Sequence, residues 1–101
     1  MPKRDRDASS DFRIFETEEF HKKLRKLPAR EIRFIQQKLT EYVYPQLRIA
    51  PFLGPNIRKL RGYQPATWRY RIGRFRVFFI VDQETRIVSL LCVDDRRDAY
   101  R

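Results

Sequence analysis

Four arginines, Arg69, Arg71, Arg74 and Arg76, fall within eight residues of one another, and three of them alternate with aromatic or aliphatic neighbours. From Asn56 to Val81 the chain holds seven basic residues and no acid: Arg58, Lys59, Arg61, Arg69, Arg71, Arg74 and Arg76. A guanidinium is a planar fork of donors that stays charged at any biological pH, so it suits phosphate. Trp68, Tyr70 and Ile72, then Phe75, Val77 and Phe79, recur every second residue on either side of Gly73-Arg74. A two-residue loop with Gly first predicts a type II′ hairpin, pairing Ile72 with Phe75, Arg71 with Arg76, Tyr70 with Val77 and Arg69 with Phe78. The apolar set then shares one face, and Arg69, Arg71 and Arg76 share the other. Like charges opposite one another are locally unfavourable. Either a bound anion offsets this, gripped by two forks about 5 Å apart, or each arginine pairs with a carboxylate from Asp94, Asp95 or the helices.

Other reactive groups are sparse. The one histidine, His21, lies between Phe20 and Lys22-Lys23 and reads as a surface residue. Cys92 sits in an apolar run and reads as a core thiol; Ser89 has no histidine beside it to activate it. Asp94, Asp95 and Asp98 read as counter-charges to nearby arginines rather than as a metal site. No Gly-rich phosphate loop and no H-E-x-x-H motif occurs, so no metal and no cofactor is expected. Tyr100 is the one aromatic of the charged C-terminal segment, beside Arg96 and Arg97. Arginines stabilise charge that builds on a pentavalent phosphorus but cannot act as a base near neutrality. RNA carries its own nucleophile, the 2′-hydroxyl. Arginines that shield the phosphate, with Tyr100 transferring a proton, suffice in principle to cleave RNA without metal. Tyr100 alternatively stacks on a base or simply packs the last residues onto the sheet.

The elements that position these groups follow from periodicity. Asp11–Glu16 predicts a short strand with Phe12 and Ile14 on one face and Phe15 on the other. Thr17 offers an N-cap, with Glu18 and Glu19 in the first turn, and Phe20, Leu24 and Leu27 form an apolar stripe. Pro28 breaks this helix and starts the next, which carries Ile32, Ile35, Leu39 and Tyr42 or Val43 until Pro45 ends it. Gln46–Pro55 reads as a loop, Ile57–Gly62 as a basic stretch ending in a turn, and Ile87–Val93 as a buried strand. The order β-α-α-β-β-β indicates an α+β domain: an N-terminal strand and a two-helix hairpin packed on a C-terminal antiparallel sheet. Residues 1–10 read as a disordered tail and 11–101 as a single domain.

At 101 residues and net charge +10, the chain has room for one domain and favours an anionic partner: nucleic acid first, an acidic protein second, an anionic membrane surface third. One cysteine permits no internal disulfide and no zinc cluster. The charged start has no apolar core and no run of about 18 apolar residues occurs, so a cytoplasmic location is expected.

The segments KLRGY (59–63), WRYRIGRFRVFFIVD (68–82) and VDDRRDAYR (93–101), together with FHKKLRKLP (20–28) and the helix running to Tyr44-Pro45, resemble the RelE/ParE superfamily of toxins from type II toxin–antitoxin pairs. The resemblance covers about residues 11–101. It implies a RelE-like, microbial-RNase-like fold and, on the RelE side, a ribosome-dependent mRNA endonuclease. Such an enzyme needs no metal and leaves a 2′,3′-cyclic phosphate and a 5′-hydroxyl. By this resemblance Arg69, Arg71, Arg76, Arg96 (or Arg97) and Tyr100 fall on catalytic positions. Lys59, Arg61, Arg74 and Arg97 are candidate RNA contacts. The implied partners are a cognate antitoxin, mRNA and the ribosome, with operator DNA only through the toxin–antitoxin complex and no membrane. Two departures stand out. Many relatives carry a histidine before the C-terminal arginine pair, where this chain has Asp95. Many carry an aspartate in the hairpin turn, where it has Arg74. The alternatives are a ParE-like gyrase inhibitor, or a basic nucleic-acid-binding module that cuts nothing.

Overall fold

The structure, a computed structural model, describes residues 11–95. The expected tail at 1–10, and Arg96, Arg97, Asp98 and Tyr100, lie outside the described residues.

Strand β1 (Arg13–Glu16) is followed at once by α1 (Glu18–Arg25). Thr17 joins them. Its Oγ1 accepts from the Phe20 amide at 3.2 Å, capping the helix, and donates to the Leu90 carbonyl at 2.7 Å. One side chain thus satisfies a helix-terminal N–H and ties the helix to a distant strand. The stripe read from sequence is the buried one: Phe20 and Leu24 are in the core and Leu27 packs against it. Pro28 caps α2 (Ala29–Lys38), as its fixed φ allows.

The second helix does not end at Pro45. Past Lys38 the backbone widens into a π turn over Leu39–Val43, in which the Tyr44 amide donates to the Leu39 carbonyl, and continues as α3 (Tyr44–Ile49). A proline stops an α-helix because it has no N–H and its ring strikes the carbonyl four residues back. The π turn relaxes the second constraint, and in the first turn of α3 the missing donor costs little. Burial secures the continuation, since Val43 and Leu47 are both fully buried. Residues 46–49, expected as loop, are therefore helical.

The strands are β2 (Ile57–Lys59), β3 (Trp68–Ile72), β4 (Phe75–Asp82) and β5 (Ile87–Asp95), in the sheet order β1-β5-β4-β3-β2. Strand β2 adds one strand to the expected order. It is only three residues long and largely exposed, so no alternation betrays it. The C-terminal strands are antiparallel as expected; β1 joins them parallel to β5. Phe12 is buried and Phe15 exposed, on the faces the sequence assigned.

One face of the sheet meets the helices. Tyr70, Ile72, Phe75, Val77 and Phe79 are buried there with Phe20, Ile35, Leu39, Val43 and Leu47. In β5 the register shifts: Phe78 pairs with Cys92 but Phe79 with Leu90, leaving Leu91 as an extra residue in a bulge. Leu90 and Val93, three apart, are thus both in the core. Cys92 pairs with Phe78 on the opposite face and is half-buried there, not a core thiol as its apolar neighbours suggested. Burial nevertheless pushes its pKa up.

Candidate functional site

The hairpin between β3 and β4 forms in the predicted register: Ile72 with Phe75, Arg71 with Arg76, Tyr70 with Val77 and Arg69 with Phe78. Gly73 takes φ 59° and Arg74 does not share the positive sign. This matches a type II′ turn, whose first position a side chain would strain.

Because the apolar alternates are buried against the helices, Arg69, Arg71 and Arg76 occupy the other face. Two cross-strand rows cover its upper half. The first is Arg58–Arg69–Phe78–Cys92, and the second is Arg71–Arg76–Asp94. A third, apolar row follows as Ile80–Ser89–Phe15. Arg58, not among the site residues expected from sequence, belongs to the arginine face because β2 is a strand. Its signal lies only in the acid-free stretch from Asn56 to Val81, over which the basic residues are spread. Lys59, by contrast, pairs with Trp68 and is placed on the helix side of the edge strand. Arg61 follows in the connecting loop. Tyr63 and Thr67 of that loop, with Phe78, Leu91 and Cys92, line a cavity of about 250 Å³.

The electrostatics differ among the arginines. Arg76 donates from Nη2 to Asp94 Oδ2 at 2.8 Å, while its Nε is buried with no hydrogen-bond partner. Its guanidinium carbon lies 5.6 Å from the Phe78 ring centre. Arg69 donates from Nη1 to the Asn56 carbonyl at 3.0 Å. Arg71 is exposed, and among the described residues no ion pair involves it. Two arginines paired across the hairpin, one tied to a carboxylate by a single contact, suit the binding of an oxyanion.

Arg74 turns the other way. Its Nη2 donates to Glu31 Oε2 at 2.6 Å and its Nε to Asp95 Oδ2 at 3.1 Å, on the helix side. These bonds, to Glu31 and then Asp95, raise its pKa further. The turn arginine expected among the RNA contacts is a clasp between the hairpin, α2 and the end of β5. The two departures from the family pattern, Arg74 and Asp95, are thus each other's partners, and Asp95 is buried away from the arginine face.

His21 is half-buried, not simply a surface residue; its Nε2 lies 3.3 Å from Glu16 Oε1. Glu16 also accepts from the Tyr44 hydroxyl. Burial first, and the Glu16 bond second, push the Tyr44 phenol well above its ordinary range. This cluster lies on the helix side, apart from the arginines. Among the described residues no three acidic, histidine or cysteine groups are placed to hold a metal. No helix among them is long and apolar enough to cross a membrane.

The family model for the ParE toxin of type II toxin–antitoxin systems (parDE) matches residues 14–100. No curated protein sequence matches the chain. Among solved structures, the RelBE2 toxin–antitoxin complex of Mycobacterium tuberculosis is similar at TM-score 0.68 and 23% identity, covering 85% of this chain and 99% of that one. The archaeal RelE–RelB complex of Pyrococcus horikoshii gives 0.62 at 22% identity, with 84% and 94% covered. The isolated E. coli RelE toxin gives 0.58 at 23% identity, with 83% of each covered. These are likenesses of fold.

Proposed function

The chain belongs to the ParE toxin family of type II toxin–antitoxin systems, and from that premise we propose that it is a ribosome-dependent, metal-independent mRNA endonuclease. The observation that carries this reading is the Arg71–Arg76 pair, opposed across the hairpin on the sheet face that the helices leave open, with Arg69 and Arg58 in the next row.

In the proposed reaction the RNA 2′-oxygen attacks the adjacent phosphorus and the bond to the 5′-oxygen breaks. The products are a 2′,3′-cyclic phosphate and a 5′-hydroxyl. Arg71 and Arg76 hold the phosphate oxygens as negative charge grows on them. Arg69 and Arg96 or Arg97 add charge stabilisation. Tyr100 transfers a proton or stacks on a base. Arg61 follows the RNA or ribosomal backbone, and Lys59, on the helix side of the edge strand, does not share that path. Arg74, committed to Glu31 and Asp95, has no direct part.

A cognate antitoxin is the proposed protein partner. Phe34, Tyr42, Ile49 and Leu53 remain exposed on and beside the helices, the last two at 73%, and large exposed apolar groups mark surfaces for another chain.

The test is inducible expression in bacteria with mapping of mRNA 5′ ends. New 5′-hydroxyl ends inside translated frames, lost in Arg76→Ala and Tyr100→Phe, are the expected outcome. The match to the ParE model favours a second reading, inhibition of DNA gyrase. Growth arrest with unchanged mRNA ends and damaged DNA would establish that one instead.

A further inference from the structure

We propose that Asp94 is the internal counter-ion of the arginine face and sets its affinity for a phosphodiester, an inference that rests on assigning that face to RNA. Three observations carry it. The β4–β5 register puts Asp94 directly opposite Arg76, in the same row as Arg71, so one carboxylate terminates a row of two facing cations. The contact uses one nitrogen and one oxygen, Arg76 Nη2 to Asp94 Oδ2 at 2.8 Å, and leaves Nε without a partner. Both side chains remain accessible, at 29% and 36%, so an incoming anion can reach the pair.

A bidentate carboxylate would satisfy Nη2 and Nε together and lock the guanidinium. The single contact holds Arg76 in place without saturating it. A phosphate oxygen arriving between Arg71 and Arg76 takes over donors that Asp94 holds only in part, and it does so against the repulsion of that carboxylate. Asp95 cannot substitute, because it is buried on the opposite face with Arg74. Asp94→Asn keeps the shape and one acceptor and removes the charge.

The test measures binding of the full chain to a fluorescently labelled, 2′-O-methylated single-stranded RNA of about a dozen nucleotides, which binds but cannot be cleaved. Anisotropy titrations at fixed low salt compare the unaltered chain, Asp94→Asn, Arg76→Ala and the double variant. Releasing the Arg76 donor from its contact with Asp94 should tighten binding about fivefold. In the Arg76→Ala background that gain should fall below about twofold, because the two residues act as a unit. Asp94→Ser repeats the comparison should the Asn variant melt early. An Asp94→Asn protein that binds no tighter, or one whose gain persists without Arg76, overturns the counter-ion role. If binding drops in Arg71→Ala/Arg76→Ala while Asp94→Asn changes nothing, the RNA reading stands and this inference alone fails. If Arg71→Ala/Arg76→Ala binds as the unaltered chain does, the RNA reading fails and takes this inference with it.

Discussion

At the residue scale the arginines divide by what they touch. Arg71 and Arg76 face an open surface, so their loss should remove function and spare the fold. Arg76→Ala is expected to abolish RNA cleavage with a thermal midpoint close to that of the unaltered protein. A folded Arg76→Ala protein with full activity would end the assignment. Arg74 is expected to behave in the opposite way. Arg74→Ala strips the clasp from both Glu31 and Asp95 and leaves a carboxylate in a buried place with one cation fewer. Thermal unfolding should show a larger loss for Arg74→Ala than for Glu31→Ala, which leaves the Asp95 contact intact. Sequence alone made the Arg71–Arg76 opposition legible, because a two-residue glycine turn fixes register. It could not say which carboxylate met which arginine. That depended on Asp94 and Asp95 pointing to opposite faces, and so on the exact end of β5.

At the scale of elements, the helices are legible from their apolar stripes and Thr17, and the sequence misleads only where a π turn lets the chain pass Pro45. Strand β2 was hidden by its shortness, and with it Arg58. Thr17→Ala should destabilise the protein by about 1–2 kcal/mol, at the upper end for a cap because the tie to β5 is lost too; denaturant unfolding measures it. Tyr44, at the start of α3, gives a pH dependence. The unfolded phenol ionises near 10 and the folded one far above that. The folded state therefore binds this proton more tightly, so the stabilisation is complete below pH 10 and declines as pH rises beyond it. Tyr44→Phe should be less stable than the unaltered chain at pH 8 and lose less between pH 9 and 11. Parallel pH–denaturation curves for the two proteins would refute that linkage.

At the scale of the whole molecule, the fold segregates two surfaces. The helices and their exposed aromatic and aliphatic groups lie on one side of the sheet, and the arginine rows lie on the other. The net charge of +10 made an anionic partner legible from composition, and only the three-dimensional arrangement shows how much of that charge shares one face. RNA affinity should fall steeply with salt, and each phosphate-contacting arginine removed should lower the log–log slope by about 0.7. Lys59→Ala, on the other side of β2, should change that slope less than Arg58→Ala. Equal slopes for the two would mean that the face is not what RNA meets.

The bulge at Leu91 has a consequence for how length changes in this strand should be tolerated. On either side of it the pairing is regular, and without Leu91 the sequence runs Leu90, Cys92, Val93, Asp94, Asp95 in simple alternation against Phe79, Phe78, Val77, Arg76 and Phe75. The extra residue is therefore a phase correction confined to one point. Deleting it should keep both aspartates wired to the arginines they now hold; deleting Val93 leaves the same count between Leu90 and Asp94, and keeps that wiring only by moving Cys92 into the core opposite Val77 and Leu91 opposite Phe78. What Leu91 adds is curvature: a bulge increases the local twist of a sheet, so its loss would flatten the surface on which the arginine rows stand while leaving their order unchanged.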